Sequence, residues 1–248
     1  MDYNKEFRKY ATKHLNLNPL TVDGVIEHQV SSSMTPYILE ERSLNVTQMD
    51  VFSRLMRDRI LFLEGVVDDR MSSVSIAQLL FLDSAEKKDI TLYIDSPGGS
   101  VKSGLSIVDV MNYIKSDVAT INTGMCASMG SVLLSSGTKG KRYSLIQSRV
   151  MTHMVSHGTH GNVQDTRISQ LQAEKYNYVL FKILAQNCGK TFKEMLESSR
   201  RDNWMNSDES LAFGIVDEII GIDTRDSITK LLEGFDEYYE TEVIPNLR

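Results

Sequence analysis

Cysteine and proline are scarce in this chain of 248 residues, which has two Cys and four Pro. Cys126 and Cys188 stand far apart and show no metal-type spacing, so no disulfide framework or structural zinc site is expected, and a reducing, cytoplasmic setting fits. No apolar run reaches signal-peptide or membrane-spanning length, and the first ten residues are rich in charge, which argues against a membrane partner. There is no basic excess either. The 27 Lys and Arg against 33 Asp and Glu leave a net charge of −6, without the electrostatic footprint of a nucleic-acid binder. With 41% hydrophobic and 24% charged residues the composition is that of a globular protein. A chain of this length buries roughly 70 to 75% of its unfolded surface and needs no staples.

What is present is a repeating alternation of short β-branched or aromatic runs with helical segments. Residues 1–35 are polar and charged and read as a mobile N-terminal extension. Strands are expected at Arg59–Leu63, Asp89–Ile94, Val118–Asn122 and Arg149–Thr152. Their starts recur at a step of about 30 residues, the length a right-handed crossover needs to return beside its first strand. The expectation is an α/β fold of stacked strand–helix units. Helical spacing over Ser75–Leu82 and Val101–Ile114 supplies core stripes. Residues 162 to 187 contain no Pro or Gly and predict a helix of about 40 Å, which either projects toward another subunit or lies buried in its own domain. Short helices are expected over Thr191–Ser199 and Ser207–Phe213, and a closing strand over Gly214–Ile220. The tail from 222 to 248 is acidic, with Glu233, Asp236, Glu237, Glu240 and Glu242, and reads as a solvated face.

Several places could carry chemistry. Asp95-Ser96-Pro97-Gly98-Gly99-Ser100 links a strand to a helix, where backbone amides gather. It lacks both the G-x-G-x-x-G dinucleotide pattern and the P-loop lysine, so no nucleotide cofactor is expected. An oxyanion-holding turn and a plain structural turn both remain. Gly124-Met125-Cys126-Ala127-Ser128-Met129-Gly130 places Ser128 at a helix N-terminus, as an activated hydroxyl or as an ordinary cap. Cys126 occupies the glycine position of the G-x-S-x-G elbow, so that hydrolase signature is missing. His153 ends a strand and could serve as a base for Ser128, or for Cys126 as a thiol nucleophile. His153, His157 and His160 are close in sequence, yet no carboxylate completes a zinc motif, and no metal is expected.

Taken together, Ile94-Asp95-Ser96-Pro97-Gly98-Gly99, Ala127-Ser128-Met129-Gly130, Gly140-Lys141-Arg142, Ser148-Arg149-Val150-Met151-Thr152-His153 and Arg201-Asp202-Asn203-Trp204-Met205 resemble the proteolytic subunits of the Clp protease family. The resemblance covers residues 36 to 221, taken as the catalytic domain, and likens residues 1–35 to a propeptide. It implies a crotonase-like α/β superhelix and a serine endopeptidase with Ser128 as nucleophile, His153 as general base and Asp202 as orienting acid. By itself Asp202, which follows Arg200 and Arg201, reads as a surface ion pair. The backbone N–H groups of Gly99 and Met129 match the family's oxyanion hole. Stacked heptameric rings, an AAA+ unfoldase that uses ATP, and unfolded protein substrates are implied as partners. Met154-Val155 stand where the family has Gln-Pro, and Asp95 where it has Asn, a charge that would oppose an oxyanion if buried and ionised. These departures give the alternative of a weakly active or inactive ring subunit that regulates an active paralogue. Acyl-CoA chemistry on the crotonase architecture is a third reading, but it has no use for the Ser128, His153 and Asp202 set.

Overall fold

The computed structural model describes residues 37–42, 45–221 and 228–244, so the expected extension over residues 1–35 lies outside the described residues. The chain divides into two compact units, one ending at Asp58 and the other beginning at Arg59. The first holds an antiparallel pair, β1 (Tyr37–Arg42) and β2 (Asn45–Asp50), with Tyr37 opposite Asp50 and Arg42 opposite Asn45. Helix α1 (Val51–Arg57) follows, with the Asp50 carboxylate accepting the Ser53 N–H as its cap. This hairpin lies outside the strands expected from the sequence.

The second unit is built as expected from strand–helix repeats. Strands β3 (Ile60–Glu64), β4 (Ile90–Ser96), β5 (Val118–Ala127) and β6 (Arg142–Leu145) lie side by side and parallel. The crossovers are α2 (Asp69–Ala85), α3 (Val101–Tyr113) and α4 (Met129–Ser135). Ile90, Leu92 and Ile94 on one face of β4 are fully buried, while Thr91 and Tyr93 on the other are partly exposed. Helix α2 outruns its predicted span because Asp68 caps it early, accepting the Met71 N–H at 2.7 Å.

One expectation changes here. The strand at Arg149–Thr152, β7, is not the next simple repeat, because β6 already takes that place. β5 is ten residues long and forks. Its first half pairs with β6, from Thr120 opposite Arg142 to Asn122 opposite Ser144. Its last three residues pair with β7, from Met125 opposite Arg149 to Ala127 opposite Met151. Buried Asn122 fastens the crotch of the fork: its Nδ2 donates to Arg149 O at 2.9 Å, and its own carbonyl accepts the Ser148 hydroxyl at 2.9 Å.

Helix α5 (Val163–Cys188) is capped by Asn162 and ended by Gly189 at φ 67°. Only its second half fits the reading of a helix buried in its own domain. Leu180, Phe181, Leu184 and Ala185 are buried, whereas Val163, Ile168 and Leu171 in the first half are exposed. Helix α6 (Phe192–Ser198) leads into β8 (Asn203–Met205), which is antiparallel to β7. Helix α7 (Ser207–Phe213) then ends at Gly214. The predicted strand over 214–220 shortens to β9 (Glu218–Ile220), parallel to β6. Gly214 serves as the left-handed cap of α7, and a Cβ there would stand 2.7 Å from the Cys188 carbonyl, so the chain cannot yet be extended.

Beside β9, Asp217 meets Arg142 of β6. The guanidinium is 1% exposed and the carboxylate 14% exposed, with Nε to Oδ2 at 2.8 Å and Nη2 to Oδ1 at 2.5 Å. Nη1 donates to the Asn187 carbonyl at 3.0 Å. Burial pushes the Asp217 carboxyl up, but the Arg142 hydrogen bonds and charge, with the Gly140 and Arg142 N–H groups, outweigh it and hold the carboxyl at about 2.

Candidate active site

Two strand registers bring the predicted side chains together. In the β5–β7 ladder Ala127 lies opposite Met151, so Ser128 comes beside the end of β7, and its N–H donates to the Met151 carbonyl at 2.8 Å. In the β7–β8 ladder Thr152 lies opposite Asn203, so the next pair outward is His153 with Asp202. Ser128 Oγ is 2.9 Å from His153 Nε2, and Asp202 Oδ1 is 3.3 Å from His153 Nδ1. The ring is 22% exposed and the carboxylate 62% exposed. With the Nδ1 proton toward Asp202, Nε2 is free to accept from the serine hydroxyl.

Ser128 is held in a backbone conformation that side chains rarely adopt, φ 53° and ψ −120°. Such a residue costs about 1–3 kcal/mol and persists only when its surroundings over-determine it. Here its N–H is fixed to β7 and its carbonyl accepts both the N–H and the hydroxyl of Ser131, at 3.0 and 2.6 Å. The capping reading of Ser128 fails, since its side chain makes no cap hydrogen bond to α4. The strained turn instead lifts Oγ out of the sheet toward the imidazole.

The glycine turn lies against this residue. At Gly98, φ 90°, a Cβ would stand 2.7 Å from both Ser128 Cβ and the Ala127 carbonyl, so the approach requires hydrogen in that place. Val67 bonds to the residues on either side of Gly99, its N–H to the Gly98 carbonyl and its carbonyl to the Ser100 N–H, so the peptide N–H of Gly99 faces away from that ladder. The Met129 N–H is the first of α4 and has no acceptor within the helix. Gly99, Ser128, Met129 and His153 all line one cavity of about 210 Å³. Its apolar wall is made by Val101, Val132, Met151, Leu180, Phe181 and Leu184.

The competing assignments separate from this cluster. Cys126 is completely buried, and desolvation, with the charge of Asp95 second, pushes its thiol well above the ordinary value. A nucleophilic thiolate requires the opposite shift, and the Sγ faces the Ile94 carbonyl at 3.6 Å rather than His153. Asp95 is exposed and its carboxylate accepts the Met125 N–H at 3.0 Å, so the condition under which it would oppose an oxyanion is not met. Asp202 makes its ion-pair contact with His153 rather than with Arg200 or Arg201. His157 and His160 are exposed, and among the described residues no group of three His, Cys, Asp or Glu is placed to hold a metal ion.

Sequence reasoning missed the polar residues that support the site. The Val155 N–H, at a position where the resemblance puts proline, donates to Asn177 Oδ1 of α5 at 2.6 Å and draws the segment after His153 onto that helix. Asn177 could have been noticed as a polar residue in an apolar stripe. Thr152 and Ser199 carry no such signal.

The sequence matches the Clp protease family over residues 43–223. The chain belongs to the Clp protease family. Among curated Clp proteins, it is 51% identical over 216 residues to the ATP-dependent Clp protease proteolytic subunit of Bacteroides fragilis, covering 87% of this chain and 98% of the relative. The subunit of the same name from Porphyromonas gingivalis is 50% identical, over 87% of this chain and 97% of its own length. That of Streptococcus pyogenes is 50% identical, over 75% and 97% respectively. The crotonase-like α/β fold of the Clp family is the fold described above. The family match ends at 223, so helices α8 (Ile228–Leu231) and α9 (Phe235–Tyr238) lie beyond it. Ile228 is buried, and Thr229 donates its N–H and hydroxyl to Asp208 at 3.2 and 2.6 Å, while Glu233, Asp236, Glu237 and Glu240 are exposed. Among the described residues no helix is long and apolar enough to cross a membrane.

Proposed function

We propose that this chain is the serine endopeptidase core of an ATP-dependent protein-degradation complex, with residues 36–221 as its catalytic domain. The observation that carries this reading is the Ser128–His153–Asp202 alignment, with Oγ and the carboxylate on opposite nitrogens of one imidazole. His153 Nε2 takes the Ser128 proton as Oγ attacks the scissile carbonyl, then passes it to the leaving amine; water resolves the acyl-enzyme by the same route reversed. Asp202 holds the tautomer and steadies the imidazolium. The N–H groups of Gly99 and Met129 receive the oxyanion, each such donor being worth about 2.7–4 kcal/mol in the transition state. The apolar wall of the cavity favours an apolar substrate side chain next to the scissile bond.

The curated relatives are named ATP-dependent, and this chain has no P-loop, so ATP hydrolysis belongs to a partner, an AAA+ unfoldase that delivers unfolded polypeptide. Self-assembly into stacked heptameric rings secludes the site from folded proteins, and the exposed apolar residues of the first half of α5 supply a surface to join ring to ring. The reading of a weakly active regulatory subunit has less support, because Asp95 is exposed and bonded away from the turn. Labelling with a fluorophosphonate tests the nucleophile. The probe is expected on Ser128 and absent from Ser128→Ala; unchanged labelling of that variant overturns the assignment.

A further inference from the structure

We propose that Thr152 and Ser199 form the positioning element that sets the Asp202 carboxylate against His153; this rests on the triad reading above. The His153–Asp202 contact sits beyond the last registered pair of a ladder only three residues long, at the edge of the sheet, where strand ends fray. Asp202 is mostly exposed, and its one described side-chain contact is the 3.3 Å approach to His153. Its position is therefore set by the backbone that carries it, the turn between α6 and β8.

That turn has one buried polar anchor. Thr152 Oγ1 lies 2.9 Å from Ser199 Oγ, and the two residues are 1% and 0% exposed. Thr152 directly precedes the imidazole; Ser199 stands three residues before the carboxylate. Ser199 is also fixed to α6, its N–H donating to the Met195 carbonyl at 3.2 Å and its hydroxyl directed at Met195 Sδ at 3.8 Å. Met195 is fully buried. With Ser199 donating to the sulfur, Thr152 donates to Ser199, and a hydrogen-bonded chain runs from the strand carrying the base, through the turn carrying the acid, into the core. Buried hydroxyls away from water hold such a geometry because breaking it would leave a polar group unpaired in the core. Neither hydroxyl touches the reacting atoms, so both act through Asp202.

The test is a double-mutant cycle on the purified full chain with a fluorogenic peptide. Thr152→Val keeps the β-branched shape and deletes the hydroxyl. It is expected to lower kcat about 10-fold to 100-fold with KM unchanged, as a misplaced positioning group does, and Thr152→Ser is expected to restore the rate. In an Asp202→Asn background the same change is expected to cost no more than about 2-fold, because the carboxylate it positions is already gone. Ser199→Ala removes the other hydroxyl and runs the same cycle should Thr152→Val not fold. Equal losses in both backgrounds, or no loss from either hydroxyl deletion while Asp202→Asn is impaired, overturns the proposal alone. Full activity of Asp202→Asn overturns the triad reading and the proposal together.

Discussion

Strand β5 sends its first half toward β6 and its last three residues toward β7, and each branch carries one pairing of a basic side chain with an Asp carboxylate. On the β6 branch, Arg142 and Asp217 are nearly sealed from water and share parallel hydrogen bonds. On the β7 branch, His153 and Asp202 meet through one 3.3 Å contact, with most of the carboxylate in solvent. A sealed pair cannot exchange protons or admit a substrate, and losing one member strands a buried charge, so it serves stability. An open pair on a titratable ring contributes little to stability and is free to move a proton. The same fork thus separates structural from chemical use of charge through burial alone.

Breaking the open branch at its proposed nucleophile should have the largest effect: Ser128→Ala is expected to lower peptide cleavage by about 10⁴-fold or more while the far-UV circular dichroism is unchanged. Next in size is the sealed branch. Asp217→Asn leaves Arg142 buried without its counter-charge and is expected to cost about 3–5 kcal/mol in urea unfolding, with peptide cleavage normal at low temperature. The same pair predicts a pH window. Because folding lowers the Asp217 carboxyl from 3.8 to about 2, its contribution is complete above pH 3.8 and fades as pH falls toward 2. That part of the acid sensitivity should vanish in Asp217→Asn.

Asp202→Asn sharpens the contrast. Its expected loss of about 10²-fold in kcat is smaller than that for a buried triad acid, because solvent screens the carboxylate, and its unfolding free energy should stay within about 0.5 kcal/mol of the parent. Smallest is the backbone term. Ser128→Gly relieves the φ of 53° and is expected to be about 1 kcal/mol more stable than Ser128→Ala by thermal melting. Equal stability of the two would mean that Ser128 is not strained.

Much of this arrangement can be read before any coordinates. The expected strand starts fall within one residue of β3, β4, β5 and β7, and the expected helix over 162–187 is α5, because β-branched runs and helical periodicity are local properties of a sequence. Strands β6 and β8 contain no β-branched residue, unlike β7 with Val150 and Thr152, so they carry no strand pattern, and Gly214 reads as strand until its role as a cap is visible. The glycine turn and Ser128 are legible as candidates, though each taken alone favours the bland reading of a structural turn or a cap. Cys126 and Ser128 could be told apart only by what surrounds them: one is wrapped in the sheet, the other is lifted out of it by two backbone anchors.

The succession of strands and helices, the net charge and the missing nucleotide motifs follow from the amino-acid sequence itself, because each depends on composition or on neighbours a few residues away. That Ser128, His153 and Asp202 share one site follows from two registers, Ala127 with Met151 and Thr152 with Asn203, formed between segments that local patterns do not relate. Backbone hydrogen bonds are chemically alike at every residue, so only the packing of the whole sheet selects which of them pair.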